Sequence, residues 1–156
     1  MAQIDALLEQ TVSNLECFIA LIGAERQMLA SGEIDQLVKL AGEKSALAAR
    51  LATLDAQRDT ALADSGLETG QAGIEAWLAA RPAAAAIPAR NIWQRLMTLA
   101  AEAKRENDIN GNLISVRLQQ NQQALSVLLG EAADATTYGP DGQQKNISGR
   151  RPLGSA

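Results

Sequence analysis

Histidine is absent from this 156-residue chain. That removes the commonest general base and metal ligand, and with it the usual nucleophilic triads and ordinary zinc sites. A single cysteine, Cys17, cannot close an internal disulfide and is consistent with a reducing compartment. Aromatic residues supply only 3% of the chain. With β-branched residues also thin, there is little material for a sandwich or barrel, and an all-β fold is excluded. Long hydrophobic runs are missing too. The apolar stretch from Cys17 to Ala24 is bounded by Glu16 and Glu25, far short of the roughly 20 residues that span a bilayer. A net charge of −4 argues against a nucleic-acid surface. No basic residue precedes the first apolar positions, so no secretory signal is read, and the expected location is cytoplasmic.

What the chain does have is alanine and leucine, together about a third of its residues. Such a composition suits close helix-on-helix packing. Apolar positions Ile4, Leu7, Leu8, Leu15, Phe18, Ile19, Ile22 and Leu29 recur in steps of three and four, the signature of an amphipathic helix. Ser31-Gly32 supplies a stop, with Gly32 as a left-handed cap, and Asp35 is the candidate N-cap of the next helix. The second helix carries Leu37, Leu40, Lys44, Leu47, Leu51, Leu54 and Ala61 or Leu62, flanked by polar residues that include Arg58. The short link forces the two helices to fold back antiparallel.

Residues 64–89 change character, with Gly66, Gly70, Gly73, Pro82, four consecutive alanines and Pro88 around a short apolar piece containing Trp77. Beyond Pro88 a third helix is expected, with a stripe through Ile92, Leu96, Leu99, Ala103, Asn107 or Asn110, Ile114, Leu118, Asn121, Leu125 and Leu128. Its spacing is close to a coiled-coil seam. Forty-odd residues give about 60 Å of helix, so an elongated molecule is expected, with this helix overhanging the hairpin. The expected fold is all-α, an elongated antiparallel three-helix coiled-coil bundle. Its parts are a hairpin over 1–64, a Gly/Ala/Pro-rich connector with one short helix over 65–89, a long C-terminal helix over 90–131, and a turn with a disordered tail over 132–156, all in one domain.

Chemistry is mostly not found. Cys17 reads as a buried inert thiol, and Glu102 with Glu106 as a solvated face. Trp77 and Trp93 read as packing anchors. Gly70 to Gly73 has neither the strand before it nor the Lys-Ser/Thr after it that a phosphate loop needs. No constellation meets the geometry of an active site, so the expectation is no enzyme, no catalytic residue, no metal, no cofactor and no small-molecule substrate.

Three features rise above that background. Asn107, Asn110 and Gly111, with Asn112, lie in the middle of the third helix, where Asn is a poor helix former and Gly costs about 1 kcal/mol relative to Ala. They read either as register-setting positions, or as a site where a partner backbone approaches closely or the helix bends. The second is the row Ile114, Leu118, Leu125, Leu128 and Leu129. If it overhangs the hairpin, its apolar face implies a partner helix, cover by the connector, or a homo-oligomer. The third is Tyr138 in the turn sequence Tyr138-Gly139-Pro140-Asp141-Gly142-Gln143, a docking residue or a plain turn.

These features in this order, Asn110-Gly111-Asn112-Leu113-Ile114, then Asn121-Gln122-Gln123-Ala124-Leu125 with Val127-Leu128, then Tyr138 to Gln143, closely resemble the FlgN family of flagellar export chaperones. The hairpin is similar as well, at Ala24-Glu25-Arg26-Gln27, Leu29, Gly32 and Glu43 to Leu47. The resemblance implies a cytoplasmic chaperone of flagellar type III export. It would bind hook-associated (hook–filament junction) proteins through their terminal helical segments, keep them unassembled, and deliver them to the cytoplasmic domain of the export gate. It would meet the membrane only through the export apparatus. By the same resemblance, Ile114, Leu118, Leu125, Leu128 and Leu129 bind the substrate protein, and Tyr138 docks on the gate. The competing expectation is a structural coiled-coil protein that homo-oligomerises through the third-helix row.

Overall fold

A computed structural model describes the backbone of residues 2–137 and the side chains of residues 3–33 and 35–130. Among these residues it is all-α: α1 (Ala2–Ser31), α2 (Ile34–Asp64), α3 (Gly70–Ala79) and α4 (Ala83–Thr137). Of the turn and tail expected over 132–156, residues 132–137 instead continue α4 as helix, and residues 138–156, Tyr138 among them, lie outside the described residues. The chain divides into two units, Met1–Ile114 and Ser115–Ala156.

In the first unit the three- and four-residue spacing does its expected work. Ile4, Leu7, Leu8, Leu15, Ile22 and Leu29 of α1 are buried, as are Leu40, Leu54, Ala61 and Leu62 of α2. From α3 come Ile74, Trp77 and Leu78, and from α4 Ala89, Trp93, Leu96 and Ala103. Ion pairs fix the directions. Asp5, Glu16 and Arg26 along α1 meet Arg81, Arg95 and Glu106 in rising order, so this part of α4 runs parallel to α1. Both are antiparallel to α2, in the up-down-up order that short hairpin links dictate.

The helix ends follow from glycine. Gly32, at φ +82°, donates its N–H to the Met28 carbonyl and closes α1. Gly66, at φ +74°, closes α2 with a pair of bonds, Leu67 N–H to Leu62 O and Gly66 N–H to Ala63 O. This is the Schellman arrangement, with Leu67 packed on the core. Gly73 is required by space, because a Cβ there would lie 1.7 Å from the Glu68 carbonyl oxygen.

Several expectations need correction. Helix α4 begins at Ala83, not after Pro88, and Pro88 lies inside it. The alanines at 83 to 86 are the strongest helix formers. Pro88 forfeits only the bond to the Ala84 carbonyl, at an exposed site where water can satisfy it. Asp35 is not the N-cap of α2; Glu33 holds that position, with no side-chain cap bond. Cys17 is exposed rather than buried. At about 100° per residue it sits some 200° around the helix from Leu15. Arg58 is buried rather than flanking, its guanidinium 5.9 Å from the Trp93 ring centroid and paired with Asp55 and Asp59.

Candidate interaction surface

Of the residues singled out in the sequence, Asn107, Asn110, Gly111, Ile114, Leu118, Leu125, Leu128 and Leu129 fall on one helix, α4. Asn110 is fully buried. Its amide donates to the Ile22 carbonyl at 2.8 Å and to Glu25 Oε2 at 2.9 Å, and its oxygen accepts from Arg26 Nε at 2.9 Å. Glu25, itself 4% exposed, also accepts both 2.9 Å bonds from Lys44 Nζ on α2. Arg26 reaches on to Glu106 at 2.7 Å. A polar layer thus crosses three helices of the first unit, and each charge in it has an opposite partner, the condition under which buried ionic groups are tolerated.

Electrostatics follow the contacts. The Glu106 carboxyl is held below its ordinary value of 4.5, chiefly by the bond from Arg26 and then that from Arg105. Asp59, at the other end of the unit, is held below 3.8, chiefly by the Gly70 N–H at 3.1 Å. Nearby, Arg81 forms a bidentate pair with Asp5 and lies 4.3 Å over the Trp77 ring centroid. Both tryptophans are buried packing residues.

Asn107 is half-buried and Gly111 is exposed. A Cβ added at Gly111 would meet nothing within 4 Å, so no described residue makes a close approach there. Ile114 is 42% exposed at the end of the first unit. In the second unit the described residues form α4 alone, and Leu118, Leu125, Leu128 and Leu129 are exposed at 58, 57, 62 and 67%. Glu25, Arg26 and Glu106 were not singled out as partners of Asn110. Only Lys44, set on the apolar stripe of its helix, signalled an inward-reaching charge.

No group of three or more metal-ligating side chains occurs among the described residues, and no described helix is long and apolar enough to cross a membrane. Among the described residues, fold and surface define an all-α bundle protein whose helix α4 carries a row of exposed leucines. Comparison with known proteins sharpens this. The chain belongs to the FlgN family, whose model, described as FlgN protein, matches residues 1–146. It is 32% identical to the flagella synthesis protein FlgN of Yersinia enterocolitica over 143 residues, covering 90% of this chain and 88% of that one. It is also 32% identical to the flagella synthesis protein FlgN of Salmonella typhimurium over 145 residues, covering 92% and 91%. The protein of the same name from Proteus mirabilis is 26% identical over 155 residues, covering 97% of each chain. No solved structure gives a significant match.

Proposed function

We propose that this chain acts in flagellum synthesis as a cytoplasmic export chaperone. Its clients are the hook–filament junction proteins, held through their terminal helical segments and handed to the cytoplasmic domain of the export gate. The observation that carries the reading is the exposed row Leu118, Leu125, Leu128 and Leu129, continuous in helical spacing with Ile114. Exposed aliphatic rows of this kind mark interfaces, and a helix-in-groove partner is the natural cover. The family and the names of its relatives support the flagellar assignment.

The energetics suit a carrier. Burying about 1,000 Å² of apolar surface contributes up to about 25 kcal/mol gross. Ordering a disordered client offsets much of that, leaving an affinity that is tight but releasable without nucleotide hydrolysis by the chaperone. Tyr138 serves gate docking in this reading. The test is co-purification of junction proteins with the full chain and with Leu125→Asp/Leu128→Asp. The expected result is capture by the native chain and loss in the double variant, with unchanged helical circular dichroism. Survival of capture in the double variant removes the row from the mechanism.

A further inference from the structure

The row in the second unit is interrupted. Leu118, Asn121, Leu125 and Leu128 recur at steps of three, four and three, so Asn121 occupies a seam position between leucines. Its surroundings are almost free of charge. Between Ile109 and Gly130 the only charged residue is Arg117, although 21% of the whole chain is charged. Most of the polar residues there are amides, unbroken from Gln119 to Gln123, with Ser115 and Ser126 the exceptions besides Arg117. Coiled-coil seams ordinarily carry flanking charges that choose the partner; this one has none to offer beyond Arg117.

The first unit shows what a seam amide demands on this helix. Asn110 is buried with three hydrogen bonds, to a backbone carbonyl, a carboxylate and a guanidinium. Asn121 lies eleven residues on, three helical turns and about 16 Å along α4. Exposed, it is satisfied by water; covered by an aliphatic side chain, it would be left without partners. The occupant must therefore bring a polar side chain to that level.

We propose that Asn121 is a specificity-determining residue, and that the row takes an amphipathic helix of low charge whose own aliphatic seam carries one amide or hydroxyl side chain opposite it. This rests on the reading of α4 as the client-binding helix and adds to it the register and chemistry of the client. Flanking amides make recognition a matter of shape and hydrogen bonding rather than of charge.

The test uses the full chain and three labelled synthetic peptides, each monomeric at the working concentration. One has a leucine seam with a central Asn and Gln/Ser flanks. The second replaces the Asn by Leu, and the third keeps the Asn with Glu/Lys flanks. Fluorescence anisotropy is expected to show the first bound about tenfold more tightly than the second, the cost of one unpaired buried amide. Asn121→Leu is expected to reverse that order. Raising salt from 50 to 500 mM is expected to change the first peptide's Kd by less than about threefold, because few charges are available to screen. Equal binding of the first two peptides, no effect of Asn121→Leu, tightest binding of the third peptide, or self-association that covers the row each overturns the proposal. If junction proteins are still captured while the peptides are not distinguished, the proposal fails alone. If Leu125→Asp/Leu128→Asp leaves junction-protein capture intact, the row is not the client-binding site and the proposal fails with that assignment; if the native chain captures no junction protein, the chaperone reading itself fails.

Discussion

The side-chain amide of Asn110 donates to the carboxylate of Glu25 at 2.9 Å, eighty-five residues away in the chain, and both groups are buried. Removing one member of such a pair strands the others. Asn110→Ala is expected to cost about 1–3 kcal/mol in urea unfolding. Asn110→Asp places a second carboxylate against Glu25 and is expected to cost more at neutral pH, with the difference shrinking as the pH falls. Equal stability of native chain and Asn110→Ala contradicts a structural role for the layer.

Much of the fold was legible in spacing alone. Ile4, Leu8, Leu15 and Ile22 announce α1, and Gly32 announces its end. The polar layer was not legible, because Glu25 and Arg26 read as surface charges until α4 brings Asn110 and Glu106 beside them. Local sequence has no means of showing a partner eighty or more residues away. Helix α4 was misplaced at its start because Pro88 outweighed the four alanines before it. Asn110 itself was visible as an anomaly, an amide on an apolar stripe, although its partners were not. The leucine row was visible for the same reason that it remains exposed, since its spacing continues past the buried part of α4.

Acid should weaken the fold in a defined window. Asp59 and Glu106 are both held below their ordinary values, by Gly70 and by Arg26 respectively as the leading causes. A carboxyl lowered on folding contributes stability that is complete above its unfolded pKa and is lost as pH falls through the folded one. The thermal midpoint is therefore expected to be level above about pH 6 and to fall below about pH 4.5. Glu106→Gln and Asp59→Asn should each lower the plateau and flatten that fall. An unchanged acid limb in both variants contradicts the assignment.

Gly73→Ala should be severe for a small change. The added methyl meets the Glu68 carbonyl oxygen at 1.7 Å, so the link before α3 must move. A loss of about 3 kcal/mol is expected, at the upper end of overpacking costs. Gly111→Ala is the control, since its Cβ meets nothing within 4 Å; it is expected to stabilise the helix by up to about 1 kcal/mol. Chemical denaturation of the two variants distinguishes them, and similar midpoints would contradict the geometry.

Tyr138→Ala is expected to leave junction-protein capture unchanged and to weaken binding to the export gate's cytoplasmic domain, measured side by side in pull-downs. Equal loss of both activities contradicts the proposed division of labour between the leucine row and Tyr138.

Hydrogen–deuterium exchange on the full chain, with and without a junction protein, tests the client-binding role of α4 most directly. The account predicts that amides from about Leu118 to Leu129 exchange quickly in the free chain and become strongly protected when the client is added, while the core of α1 and α2 is already slow and changes little. Protection confined to the first unit, with the leucine row exchanging as fast as before, would contradict it.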